Sequence, residues 1–198
     1  METLNLTEVR QTLEQATKRT IADPSLSLAA VLVLVYLKEG QYCTLLNKRT
    51  DSVTEHKGEV AFPGGKKEAS DAGLQETALR EAFEEMAIQP DDVKVLGELD
   101  DVATSSKYVI TPFVGTILHP YPFTPNEREV AEILEVPLGN LDNPRNVRQE
   151  ARLKKGRLVS DKAYTYNGHL IFGATAKVLH MFLDLLNHGA PKGGLWAR

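Results

Sequence analysis

The sequence predicts an α/β (α+β) protein in which a mixed sheet lies between helices. Three observations carry this. The run "LAAVLVLVYL" (28–37) is rich in branched residues and far short of the roughly 20 residues that span a bilayer, so it reads as a buried strand. Leu74, Ala78, Ala82 and Met86, with Leu79 and Phe83 beside them, are spaced by three and four between Asp71 and Ala87, which is one face of a helix. Helices and strands then mix without the βαβα rhythm of a doubly wound sheet.

Taken in order, Leu6, Val9, Leu13 and Ala16 predict an amphipathic helix over 7–20. Gly40 turns the chain after the central strand, and "YCTLLNKR" (42–49) is its antiparallel partner. The polar, glycine-rich stretch "TDSVTEHKGEVAFPGGKKEAS" is a loop of the kind that carries function. Asp71 suits an N-cap or first-turn acid for the helix that follows, and Pro90 lies just past its end. Further strands are predicted at 93–102, 108–118 and 130–136, with "PLGNLDNPRN" and "RLKKGRL" as excursions. Asn167-Gly168, set between two β-prone segments, signals a tight hairpin. A last helix over about 173–188 turns Val178, Phe182, Leu185 and Leu186 inward and stops at Gly189 and Pro191. The expectation is one domain over 1–198 with helices at both ends.

Composition narrows the function. A formal net charge of −4 argues against a general nucleic-acid binder, which needs a basic surface. The single cysteine, Cys43, rules out an internal disulfide and fits a reducing cytoplasm; no cationic cluster adjoins it, so it reads as a buried structural thiol. The N-terminus lacks the cationic start and long apolar stretch of a secretory signal. No membrane association is expected.

The chemistry gathers in "REAFEE". Glu81, Glu84 and Glu85 sit three and four apart and can share one side of a helix. Like charges there repel, and they lie in the second half of the helix, where the macrodipole disfavours them. No lysine follows among residues 81–88 to compensate. Spacing alone leaves two readings, a solvated acidic face or a cage for a cation. Carboxylate ligands without nearby Cys or His suit Mg²⁺ or Mn²⁺ rather than zinc. Upstream, "EVAFPGGK" brings Pro63, Gly64 and Gly65 directly before the acids, a loop whose backbone can come close to a metal-bridged phosphate.

On these residues the sequence resembles the Nudix hydrolase family, whose box reads G-x5-E-x7-R-E-U-x-E-E-x-G-U with U apolar. Gly65 matches the opening glycine and "REAFEEMAI" (80–88) the end of the box. Asp71 stands in place of the first glutamate with one extra residue before Arg80, and Ala87 replaces the late glycine. The preceding "LLNKRTDSVTEHKGEVAFPGG" (45–65) is similar to the pattern of the coenzyme A pyrophosphatase branch at Leu45, Leu46, Arg49, Gly58 and Phe62 to Gly65. Thr54 departs from it, standing where the pattern has arginine.

The resemblance implies a Nudix-type α/β/α sandwich with a catalytic loop-helix. It implies hydrolysis of a diphosphate in a small nucleotide substrate, coenzyme A or its acyl derivatives foremost, giving adenosine 3′,5′-bisphosphate and 4′-phosphopantetheine. ADP-ribose, dinucleoside polyphosphates, or a silent module that binds nucleotide or RNA are the alternatives. Glu81, Glu84 and Glu85 are the implied ligands of Mg²⁺ or Mn²⁺. Glu84 doubles as a candidate base, and Arg80 pairs with a glutamate. A base outside the box is implied at Glu132 or Glu129, where an exposed strand edge is the competing reading. Arg49, Gly58, Phe62, Gly64 and Gly65 are the implied substrate contacts, and Lys48 and Lys57 are further cations within reach of phosphate. His56 has no partner at ligand spacing, and Trp196 docks either on the body or on a second subunit of a homodimer.

Overall fold

The computed structural model describes residues 4–51, 57–154 and 157–188. The expectations placed on Thr54, His56, Gly189, Pro191 and Trp196 lie outside these residues.

Strand β1 (Ser27–Lys38) is the spine of the fold. It pairs antiparallel with β2 (Gln41–Arg49) at its C-terminal half and with the short β4 (Gly64–Lys66) at its N-terminal half. Along its other edge it pairs in parallel with β7 (Tyr108–Thr116) from Ser27↔Tyr108 to Val35↔Thr116. β3 (Val60–Ala61) and β8 (Val130–Pro137) extend the sheet beyond β2, while β5 (Lys94–Glu98) and β6 (Val102–Ala103) extend it beyond β7. The sheet is mixed, with helices on both sides. β1 shows why both faces must be covered. Ala30, Leu32, Leu34 and Tyr36 pack in one cluster with Ala78, Ala82 and Met86 of α2 (Leu74–Met86). The alternate Val33 and Val35 pack with α1 (Leu6–Gln15) and α4 (Gly173–His188). A strand side chain alternates faces, and a wholly apolar strand therefore demands two layers.

Several boundaries depart from the sequence expectations. α1 ends at Gln15 rather than near residue 20. The chain beyond it is drawn out by acids: Arg19 and Ile21 donate backbone N–H groups to Asp100 and Asp101 at 2.8 and 2.9 Å, and Lys18 pairs with Glu98 at 2.6 Å. The same acids break the strand expected over 93–102 into β5 and β6, with a register shift between Val95 and Gly97. α2 starts at Leu74 with Gly73 at its N-cap, so Asp71 is not a cap. Both excursions contribute regular elements. "PLGNLDNPRN" includes a single turn of helix, α3 (Leu138–Leu141), and "RLKKGRL" spans the junction of β9 (Val147–Lys154) and β10 (Arg157–Tyr166), which pair antiparallel. With β11 (His169–Ile171) these make a second, three-stranded sheet. β9 is mostly charged or polar, so it offers little hydrophobic alternation to read.

Between β10 and β11 the hairpin forms as expected, Tyr166 pairing with His169 and both turn residues left-handed (Asn167 φ 47°, Gly168 φ 82°). Among the described residues no helix is long and apolar enough to cross a membrane.

Candidate active site

The site begins where two strands share one edge of β1. β4 covers Ala29 to Val31 and β2 takes over at Val35, with Pro63 bridging by accepting the Leu32 N–H at 2.8 Å. The two glycines of β4 are required by close approach. A Cβ on Gly64 would meet the Ala30 carbonyl and stand 2.6 Å from Val31 Cα. One on Gly65 would stand 2.5 Å from the Glu81 carboxyl. The first contact sets the strand and the second seats an acid.

Arg80 locks the loop to the helix. Its Nε and Nη2 donate to the two oxygens of Asp71 at 2.9 and 3.1 Å, its Nη1 to Glu81 and Glu84 at 3.0 Å each, and its Nη2 also to the Lys66 carbonyl at 3.1 Å. The bidentate fork therefore takes Asp71, while the glutamates receive single bonds. Asp71 is buried, accepting in addition from Thr77 Oγ1 and the Glu68 N–H at 2.9 Å. Arg80 first, and the Glu68 N–H after it, hold its carboxyl well below the usual carboxylate range. The substitution and the extra box residue are thus absorbed at the loop-to-helix junction.

Glu85 is the most enclosed of the three box acids, 1% exposed. It accepts from Asn47 Nδ2 at 2.9 Å, from the Gly64 N–H at 3.2 Å and from Arg49 Nη1 at 3.4 Å. Burial pushes its carboxyl up to about 8, with Arg49 and the Gly64 N–H opposing. Burial raises Glu81 as well, against Arg80. Thr77 and Glu85 lie on the inward side of α2, whereas Phe83, expected in the core, is 45% exposed. At the end of the helix Ala87 adopts the left-handed conformation (φ 57°, ψ 28°) that a glycine would take without strain.

Glu81 and Glu85 open into a cavity of about 630 Å³, a size that suits a small-molecule ligand. Arg49, Phe62, Gly64 and Gly65, four of the five implied substrate contacts, line it, joined by Lys66 and by Glu129 on the loop before β8. The backbone of Glu129 is fixed there, its carbonyl accepting the Thr50 N–H at 2.9 Å. Three predicted residues are placed elsewhere. Glu132 points away, its half-exposed carboxylate 3.2 Å from His169 Nε2; of the two acids expected outside the box, Glu129 is the one at the cavity. Gly58 serves a turn (φ 66°) and is absent from the lining. Glu84 is half exposed, tethered to Arg80 outside the cavity.

The remaining walls carry no motif. Ala29 and Val31 of β1 and Tyr108 and Ile110 of β7 lie along the sheet, with Thr104 to Ser106 at the β6–β7 turn. Phe172 and the start of α4, including Lys177 and Val178, close the cavity, with Asp161 of β10. Residues as distant in sequence as Ala29 and Val178 meet here, which local periodicity does not foretell.

The donor set fits a hard divalent cation. Glu81, Glu85 and Glu129 line one cavity, and the buried Asn47 Oδ1 has no hydrogen-bond partner. Glu85, made costly to ionise by burial, gains most from a cation beside it. Among the described residues no three Asp, Glu, His or Cys side chains are grouped so as to hold a metal ion, and Arg80 Nη1 pairs with both Glu81 and Glu84. An open set of one or two carboxylates matches Mg²⁺, which completes its shell with water and phosphate.

A mixed sheet between helices, with a glycine loop feeding an acidic helix, is the Nudix-type architecture that the sequence resemblance implies. The family model described as NUDIX domain matches residues 26–153, and the chain belongs to that family. It is 39% identical over 139 residues to an uncharacterized Nudix hydrolase, NudL, of Pectobacterium atrosepticum, covering 69% of this chain and 71% of that one. It is 37% identical over 152 residues to its counterpart in Photorhabdus laumondii, covering 77% and 81%. A crystal structure of a NUDIX hydrolase from Alicyclobacillus acidocaldarius shares the fold, with a TM-score of 0.53 at 16% identity over 84% of this chain and 95% of that one.

Proposed function

We propose that the protein is a metal-dependent hydrolase of a diphosphate linkage in a nucleoside diphosphate derivative, with coenzyme A or its acyl derivatives as the preferred substrate. The observation that carries the reaction is the pair Glu81 and Glu85, both penalised by burial, opening behind Gly64 and Gly65 into one cavity. Glu81 and Glu85 would hold Mg²⁺ or Mn²⁺, with Glu84 completing the acidic set at the solvent side. When bound, the cation neutralises charge that develops on the phosphoryl oxygens. Arg80, paired with Glu81 and outside the cavity lining, would keep that acid in place. Arg49, beside Glu85, presents a guanidinium to a substrate phosphate. Glu129, in the lining of the same cavity, would take the proton of the attacking water. Water oxygen bonds to one phosphorus, the bridging P–O bond breaks, and the bridging oxygen leaves with the second phosphoryl group.

Coenzyme A is favoured by the match over 45–65, in which Arg49, Phe62, Gly64 and Gly65 all reach the cavity. The test is turnover with Mg²⁺ on coenzyme A, ADP-ribose, NADH and diadenosine polyphosphates, with products resolved. Release of adenosine 3′,5′-bisphosphate and 4′-phosphopantetheine is expected. No turnover of any of them sinks the hydrolase reading, and turnover of ADP-ribose with coenzyme A untouched removes the narrower claim.

A further inference from the structure

We propose that the end of the cavity beneath α4 is a second anion subsite, in which Lys177 binds a phosphate monoester on the nucleoside half of the substrate, separate from the diphosphate. This rests on the reading of the cavity as a nucleotide site. Four strands set its width: β4, β1, β7 and β6 lie side by side, and three interstrand steps make about 14 Å. The box acids stand at the β4 end. α4 packs against β6 at the other, and it stands on the face of the sheet opposite α2.

At that far end Lys177 is half-buried in the lining, and no carboxylate among the described residues pairs with it. Asp161, the acid on the same wall, already has an interaction of its own. A half-buried ammonium that lines the cavity without a paired carboxylate can take an anionic ligand. The β6–β7 turn, in the same lining, supplies hydroxyls. Thr104 Oγ1 receives the Tyr108 N–H at 3.0 Å, and Ser106 Oγ lies 3.0 Å from Thr104 Oγ1, leaving the exposed Ser105 hydroxyl to the cavity. Lysine and serine together suit a phosphate monoester. A 3′-phosphate on the ribose is the group that distinguishes coenzyme A from its dephosphorylated form. The subsite therefore gives a physical basis for choosing between them. Lys177 lies outside residues 26–153, the span matched by the family model.

The experiment pairs binding with turnover. By calorimetry in metal-free buffer, the protein should bind adenosine 3′,5′-bisphosphate about tenfold or more tightly than adenosine 5′-monophosphate. Lys177→Ala should remove most of that difference, and Lys177→Arg should restore it. With Mg²⁺, the kcat/KM ratio for coenzyme A over 3′-dephospho-coenzyme A should fall by a similar factor in Lys177→Ala, through KM. Equal binding of both nucleotides by the unaltered protein, or an equal loss on both substrates in Lys177→Ala, overturns the subsite. If the binding difference holds while no diphosphate is cleaved, the subsite stands and the hydrolase reading fails.

Discussion

The two walls of the cavity are built by different means. The acid wall is local and cross-linked: one arginine joins Asp71, Glu81, Glu84 and the Lys66 carbonyl within 19 residues of chain. The far wall is assembled from β1, β7, the β6–β7 turn, Phe172 and α4, elements brought together by sheet pairing and apolar packing rather than by one side chain. The difference teaches that, on the proposed function, reaction would rest on the cross-linked wall and specificity on the packed one. The acids are held to one geometry, whereas the far wall can change residue by residue without disturbing them.

Substitutions can break or sharpen this contrast. The largest effect is expected from Glu85→Gln, which keeps the shape of the side chain but removes the charge of a proposed metal ligand. kcat should fall about a thousandfold, while circular dichroism shows the fold intact. Wild-type kcat in that variant would move the chemistry off this wall. Gly65→Ala pushes a methyl group into the Glu81 carboxyl, and a displacement on the order of 1 Å should cost about a hundredfold in kcat. On the far wall, Phe172→Ala removes apolar surface from the lining and should raise KM about tenfold, with kcat nearly unchanged. A fall in kcat instead would show that the walls are coupled.

Two smaller effects separate stability from activity along α2. Asp71 has a folded-state pKa below its unfolded value, so its contribution to stability is present above the unfolded carboxylate pKa of about 4 and is lost as pH falls through the lower folded value. Asp71→Asn should lower Tm at neutral pH and flatten the acid limb of a Tm-against-pH curve; an unchanged acid limb would show that the Arg80 fork does not stabilise the fold. Ala87→Gly relieves a left-handed alanine and should stabilise the protein by about 1 kcal/mol, read as a raised denaturation midpoint. Activity should be unchanged, because Ala87 is outside the cavity lining.

Much of the acid wall is legible in the sequence. Spacing of three and four puts Glu81, Glu84 and Glu85 on one helix, and the glycine pair precedes them. What spacing does not reveal is their unequal burial, because Glu85 is enclosed by Asn47 and Arg49 from β2, a strand separated from it by most of the glycine loop and α2. The exchange of Glu132 for Glu129 at the cavity has the same origin. Glu132 lies within β8, opposite Lys48, whereas Glu129 lies on the loop before it, where the chain turns past Thr50. The β9–β10 ribbon is illegible for a different reason: strands rich in charge carry little hydrophobic alternation.

By itself the sequence determined the period of the helices α2 and α4, the apolar spine, the hairpin at Asn167-Gly168 and the acids with the glycines that seat them. These are local properties, governed by backbone sterics and by which residues recur on one face. The tertiary structure alone decided which acids are desolvated, which arginine contact is bidentate, and that Lys177 lines the same cavity as Glu81 from a helix on the other face of the sheet. Those are through-space relations, and charge and burial act through distances that chain position does not encode.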